Sequence, residues 1–310
     1  MTGKFAFFTG SSFSLPAIQY LQAQGRLACV VLVDAEPNPD LMQLTQALNQ
    51  LEITVLKYSA DNVAPFIAAL DASSARYGIV YLFRHKISTA LINYFHQDIY
   101  NIHPSDLPQY KGPMPLYWQV RDGISCTQLT VHRVTPEIDS GEIGAQLEMP
   151  IHPFETLVCV YQKSAQLIPQ LLHQFMNQLE SGTVEWRQQN NRVYPSAPFP
   201  QPEDSMVNWE EHTASDIVNM ARAGCGDFGS IRIRFHTHDI QLIQASKQEL
   251  SVAGLPPGTV IEVGLNSGVV VATKDGAVKL DIIATPQGIF DGYRFSLLYG
   301  MDAGMMLSPV

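Results

Sequence analysis

The densest set of reactive side chains lies in Asn101-Ile102-His103-Pro104-Ser105-Asp106-Leu107-Pro108-Gln109-Tyr110-Lys111-Gly112. Asn101 and His103 are two positions apart in a run that begins Ile99-Tyr100, and on a strand residues i and i+2 share a face. The spacing therefore predicts an amide and an imidazole side by side at the carboxyl end of a strand, where open α/β sheets bind ligands. Pro104 stops the strand, and Pro108 and Gly112 shape the loop beyond it. A carboxylate follows in Thr135-Pro136-Glu137-Ile138-Asp139-Ser140-Gly141-Glu142-Ile143, where the Ser-Gly turn lets backbone approach a ligand closely. Singly, a strand-end His before Pro and an Asp-Ser-Gly turn are ordinary structure; their joint order and separation carry the weight. Such a set could donate hydrogen bonds and move protons.

The elements that must position these residues are legible as alternating patterns. Phe5 to Phe8, Leu27 to Val33, Ile53 to Leu56, Gly78 to Phe83 and Ile99 to His103 read as strands, several continuously apolar as in a sheet covered on both faces. Helical patterns lie between them: from Leu15, from Leu41 to Leu51, from Val63 to Leu70 and from Ser88 to Phe95. The alternation predicts an α/β fold with a doubly wound, mostly parallel sheet. Asp34 to Asp40 reads as a turn-rich loop. A helix over Pro115 to Arg121, a strand over Thr127 to Val134 and a long amphipathic helix over Glu155 to Leu179 follow. We read 1–183 as a catalytic domain and 184–205, rich in Gln, Asn and Pro, as an extended linker. Within 206–310, one helix (Ala214 to Ala223) and short strands separated by turns such as Pro257-Gly258 and Asp275-Gly276 predict a small β-barrel.

Of the 310 residues, 46% are hydrophobic and 15% charged, and the formal net charge is −10. This is a globular composition, and the acidic balance argues against broad phosphate binding. The four cysteines, Cys29, Cys126, Cys159 and Cys225, form no C-x-x-C pair, as expected for free thiols in a reducing compartment. None of the nine histidines sits in an H-E-x-x-H pattern, so no metal is expected. No apolar run reaches membrane-span length and Met1 to Gly10 leads directly into a strand pattern, so the expectation is a cytoplasmic protein without membrane contact.

The pattern Asn-x-His-Pro-Ser-x-Leu-Pro-x-Tyr-Lys-Gly followed by Asp-Ser-Gly-Glu-Ile resembles the signature of folate-dependent formyltransferases. That family includes methionyl-tRNA formyltransferase, glycinamide ribonucleotide transformylase and the amino-sugar N-formyltransferases. Phe8 to Pro16 is similar to the family's opening loop, and Pro202-Glu203-Asp204-Ser205…Trp209 to the junction before its OB-like C-terminal barrel. The resemblance implies a catalytic set of Asn101, His103 and Asp139, with 10-formyltetrahydrofolate as co-substrate. The amide and a protonated imidazole would stabilise the oxyanion, and Asp139 would raise the His103 pKa and accept a proton. The resemblance further implies folate contacts at Leu82, Phe83, Arg84, Ile87, Ile138, Ser140, Gly141 and Ile143, and acceptor contacts at Gly10, Ser11, Ser12, Ser105 and Lys111. His132 lies in a strand similar to one in glycinamide ribonucleotide transformylase. A packed or surface position is its ordinary reading.

Arg84-His85-Lys86 stands where family members are largely apolar. The basic insertion of the tRNA-specific members is replaced by the short acidic stretch from Asp34 to Asp40, and Gly224 to Gly229 replaces the usual Asn-Pro-Trp-Pro-Gly. The expected acceptor is thus a small amine, such as a nucleotide-linked amino sugar, with nucleic acid as partner only in the runner-up, methionyl-tRNA. A catalytically silent binding protein and a folate deformylase are the alternatives from other classes. A monomer or homodimer is expected.

Overall fold

The computed structural model describes residues 3–33, 36, 38–59, 63–190, 192–224 and 229–308. The Asp34 to Asp40 loop and the Gly224 to Gly229 stretch fall partly outside these, at Asp34, Ala35, Pro37 and Cys225 to Phe228. The chain forms two compact units. One comprises Met1–Pro115, Cys126–Pro150 and Tyr161–Pro198, and the other Leu116–Ser125, Ile151–Val160 and Phe199–Val310. The short segments 116–125 and 151–160 thus group with the C-terminal residues rather than with the sheet around them in sequence.

The first unit is built on a seven-stranded sheet. Its strands are β1 (Lys4–Phe8), β2 (Leu27–Val33), β3 (Val55–Tyr58), β4 (Ala75–Val80), β5 (Ile99–His103), β6 (Cys126–Arg133) and β7 (Ile143–Pro150), in the order β3-β2-β1-β4-β5-β6-β7. β1 to β5 run parallel. β6 and β7 are antiparallel additions. Helices α1 (Leu15–Ala23), α2 (Pro39–Gln50), α3 (Val63–Ser73) and α4 (Thr89–Tyr94) provide the crossovers. Asn38 caps α2 by accepting from the Leu41 N–H at 2.9 Å, and Pro39 fills the first helical position, where its missing N–H costs nothing. One sheet face packs Ala6, Phe8, Val31 and Val80 against Phe66, Leu91 and Phe95. On the other side the Tyr100 ring lies 4.9 Å from Phe175, in the long helix Leu157–Ser181, and 5.8 Å from Trp186.

The winding direction reverses between β1 and β4, which is where such sheets open a crevice. There the Gly10 N–H donates to the Leu82 carbonyl at 3.1 Å, tying the two loops together. β4 ends at Val80, earlier than the apolar run suggests, because the chain turns into the left-handed region at Leu82 (φ 53°). β7 was not foreseen: its mostly half-buried residues do not alternate cleanly between in and out.

The stretch read as a linker is extended but bonded. Arg187 exchanges two 2.9 Å backbone bonds with Ile143, Tyr110 N–H donates to Pro195 O at 2.7 Å, and Ala197 N–H donates to Lys111 O at 2.8 Å.

In the second unit, helices α5 (Pro115–Arg121), α7 (Ala214–Ala223) and α8 (Gly292–Tyr299) accompany an antiparallel sheet; α6 is the long helix Leu157–Ser181 already described. Its strands are β8 (Ile231–Phe235), β9 (His238–Gln248), β10 (Val260–Gly264), β11 (Gly268–Ala272), β12 (Ala277–Thr285) and β13 (Gly288–Asp291). Their order is β10-β11-β12-β9-β8, with β13 beside β12. The tail closes this sheet: Val260 N–H donates to Met305 O at 2.8 Å, and Ser308 N–H donates to Arg234 O at 3.0 Å. One short segment thus bonds both outer strands, leaving neither as a bare edge. Met305 and Ser308 of the tail perform this closure.

Candidate active site

Asp139 is the hub of the site. Its Oδ1 accepts from Asn101 Nδ2 at 3.2 Å and lies 3.4 Å from His132 Nε2. Its Oδ2 accepts the Gly112 N–H at 2.9 Å and lies 3.5 Å from His103 Nδ1. Three side chains separated in sequence therefore meet at one carboxylate, and a fourth, His132, joins them. Asn101 and His103 share a face of β5, and His132 sits directly opposite Asn101 on β6. Asp139 comes from the β6–β7 connection, which folds back over that face.

The loop is forced into place by glycines. A Cβ on Gly141 would lie 1.9 Å from Arg133 O, so only glycine permits the close approach. Gly112 adopts φ +123°, and a Cβ there would lie 2.7 Å from Ala197 O. Asp139 itself (φ 49°), Tyr110 (φ 55°) and Leu82 (φ 53°) are non-glycine residues in the left-handed region. Such conformations persist only where surroundings over-determine them, and they cluster at functional sites. Gln189, from the bonded linker, donates to Asp139 O at 2.9 Å and to Gly141 O at 2.8 Å and so clamps the loop.

Electrostatics follow from burial and donors. Burial pushes the Asp139 carboxyl up, but His103, His132 and the Gly112 N–H outweigh it and hold the group well below the usual carboxylate range. Burial pushes the His103 pKa below its ordinary value; Asp139 pulls it up but does not win. Asp139 thus acts in the expected direction, but the protonated imidazole that the resemblance implies is not favoured, because His103 is only 4% exposed and loses its hydration. The Nε2 of His103 lies 2.8 Å from Tyr110 O, a pure acceptor, so Nε2 carries the ring hydrogen and Nδ1 faces the carboxylate bare.

Other expected contact residues divide. Ser140 accepts from Lys111 Nζ at 3.0 Å, which brings Lys111 beside the hub, and Ile138 is 62% exposed next to Asp139. Gly10 lies at the crevice. The hydroxyls of Ser11 and Ser12 are committed locally, Ser11 accepting from Phe13 N–H and Ser12 donating to Asp40. Ser105 is fully buried and donates to Gln109 O at 2.7 Å, so it shapes the loop instead of meeting an acceptor molecule. Ile87 and Ile143 are buried, and the Phe83 ring lies 5.7 Å from that of Phe8. Their side chains therefore serve the core, and Arg84 is exposed at the crevice loop. Sequence reasoning missed Gln189 and the Gly112 N–H altogether. Among the described residues no group of His, Cys, Asp or Glu could hold a metal ion, and no helix is long and apolar enough to cross a membrane.

Comparison with known proteins bears on this geometry. Residues 4–176 match the formyl transferase family and residues 200–289 match the family's C-terminal domain. The chain is 28% identical over 187 residues to the methionyl-tRNA formyltransferase of Thermotoga maritima, a match covering 60% of this chain and 58% of that protein. It thus spans little more than half the length of that relative. The N-formyltransferase of Helicobacter canadensis, solved with folinic acid and dTDP-3-aminofucose, superposes with a TM-score of 0.69 at 16% identity, covering 93% of this chain and all of that one. HypX of Aquifex aeolicus, solved with tetrahydrofolic acid, superposes with a TM-score of 0.60 at 16% identity over 96% of this chain and 47% of its own. At such identities the structural likeness concerns the fold. The matched family residues, by contrast, take in the whole of the Asp139 hub, and the chain belongs to the formyl transferase family.

Proposed function

We propose that this protein transfers a formyl group from 10-formyltetrahydrofolate to the primary amine of a small molecule, a nucleotide-linked amino sugar. The observation that carries the reading is the buried Asp139 carboxylate held among Asn101, His103 and the Gly112 N–H. The co-substrate supplies a formyl carbon open to attack by an amine. The residues present suit its flat ring: Ile138, exposed beside Asp139, offers an apolar flank. Asp139 stabilises the positive charge that builds on the attacking nitrogen. His103, neutral in the free protein, has a bare Nδ1 that accepts the amine proton and returns it to the departing nitrogen. The Asp139 Oδ2, 3.5 Å away, stabilises the imidazolium between those steps.

The acidic balance of the chain and its acidic Asp34 to Asp40 stretch favour a small acceptor over a polyanion. A second reading takes methionyl-tRNA as acceptor, favoured by the Thermotoga maritima match. The test is a screen of amines with 10-formyltetrahydrofolate, read as a mass gain of one CO. We expect an amino sugar on a nucleotide to be modified fastest. Faster formylation of initiator methionyl-tRNA would move the acceptor to the second reading. Formate release without any amine, and no modified amine, would make the protein a hydrolase.

A further inference from the structure

We propose that Gln189 is a positioning residue for the transfer, holding the Asp139 carboxylate at its place in the hub, an inference that rests on the formyl-transfer reading. Among the described residues, only one amide bonds the backbone of 135–141 from outside that stretch. Gln189 Nε2 donates to Asp139 O at 2.9 Å and to Gly141 O at 2.8 Å. Carbonyl oxygens only accept, so the amide must face them with its nitrogen, and both of its hydrogens are used. It is held there although its own Oε1 is buried without a partner among the described residues, a placement that costs free energy.

Asp139 stands in the left-handed region at φ 49°, which a residue other than glycine keeps only when its surroundings hold it. In that conformation it serves two sides at once. Its carbonyl bonds Gln189, while its Oδ2 accepts the Gly112 N–H at 2.9 Å and lies 3.5 Å from His103 Nδ1. Releasing the carbonyl frees the backbone dihedrals that aim the carboxylate. The bond to Gly141 O secures the same turn where it passes against Arg133.

Gln189 acts from a fixed base. Just before it, Arg187 exchanges two 2.9 Å backbone bonds with Ile143, Gln188 Nε2 donates to Glu142 Oε1 at 2.8 Å, and the Trp186 ring stacks on that of Tyr100 at 5.8 Å. The Gly112 side of the hub is secured separately. Ala197 N–H donates to Lys111 O at 2.8 Å, and Met114 N–H donates to Ala197 O at 3.0 Å. Loss of the Gln189 bonds should therefore move Asp139 relative to Gly112, not the pair together.

The first test needs no substrate. An amide hydrogen bonded to a carboxylate resonates downfield, so the Gly112 amide proton reports its bond to Asp139 Oδ2. In Gln189→Met, which keeps the side chain's length and loses both hydrogens, that resonance should move upfield while the Ala197 amide keeps its shift. An unmoved Gly112 resonance overturns the proposal. The second test measures turnover with 10-formyltetrahydrofolate and the amino sugar nucleotide that wild type modifies fastest, well below the unfolding transition. Gln189→Met should lower kcat on the order of 10²-fold, the effect of a displacement of about 1 Å. Gln189→Glu keeps the shape but, when ionised, has no hydrogen for either carbonyl, and should lose as much at neutral pH. Wild-type kcat in either variant overturns the inference, even if thermal stability falls. A wild-type protein that formylates no amine sinks the formyl-transfer reading instead, and the Gly112 resonance still decides whether Gln189 places the carboxylate.

Discussion

The two units bury their side chains for different ends. The C-terminal unit encloses a core of Val207, Trp209, Ile217, Ile233, Phe235, Val271 and Phe295, almost purely apolar. The N-terminal unit buries its apolar sheet too, yet at one place it also buries His103 and His132 and shields Asp139. Removing ionisable groups from water is costly unless each finds a partner. The hub meets that condition with amide hydrogens and a clamped loop, and accepts three left-handed non-glycine residues around it. The second unit shows one such residue among those described, His236 (φ 53°), in a hairpin turn. Left-handed residues also follow helices elsewhere in the first unit, at Glu52, Ser74, His96 and Gln97, so it is buried charge that marks the place where chemistry is proposed, whereas closure of the barrel rests on apolar burial.

The sharpest way to break this contrast is Asp139→Asn. Turnover should fall roughly 10²–10⁴-fold, the range for loss of a positioned acid–base group. Stability should respond to pH in a defined sense. The folded Asp139 pKa is depressed, so its contribution is fully present above the ordinary carboxylate pKa and is lost as pH falls toward the folded value. Wild type should therefore exceed the variant in stability at neutral pH, with the gap closing in acid below about pH 4. Urea titrations across pH would show it. A gap independent of pH would mean that the carboxylate does not hold its charge in the folded protein.

Gly141→Ala is the next largest. A Cβ cannot sit 1.9 Å from Arg133 O, so the loop must move and carry Asp139 off the hub. A displacement of about 1 Å costs on the order of 10²-fold in rate. Steady-state kinetics on the folded variant should show the loss in kcat. Wild-type turnover would mean the loop position is not what aligns the carboxylate.

How far these features were legible in the sequence depends on range. The alternation of strands and helices, the β5 face shared by Asn101 and His103, and the Asp-Ser-Gly turn follow from local spacing. What escaped was non-local. The Asn101–His132 pairing depends on the register of an antiparallel strand, and nothing in either segment states that register. Gln189 sits in a Gln- and Asn-rich stretch that reads as solvated, and only the fold shows it bonded to the loop. Ser11, Ser12 and Ser105 carry suitable hydroxyls, but local backbone and Asp40 claim them first, as short polar side chains tend to do. The pKa direction of His103 was missed for a similar reason: a neighbouring carboxylate is readable from a motif, whereas complete burial is not.

The smallest expected effect sharpens the comparison from the other side. Ile233 is fully buried in the barrel core. Ile233→Val removes one methylene there and should cost about 0.5–1.5 kcal/mol. No charge, strained residue or hub hydrogen bond is touched, so the thermal midpoint should fall while kcat and the donor KM stay at wild-type values below the transition. Calorimetry and kinetics on the same preparation would check both halves. If so conservative a change in the barrel slowed turnover of the folded protein, the division of labour between an apolar closing unit and a polar reacting unit would not hold. The barrel core would then have to be counted among the supports of Asp139.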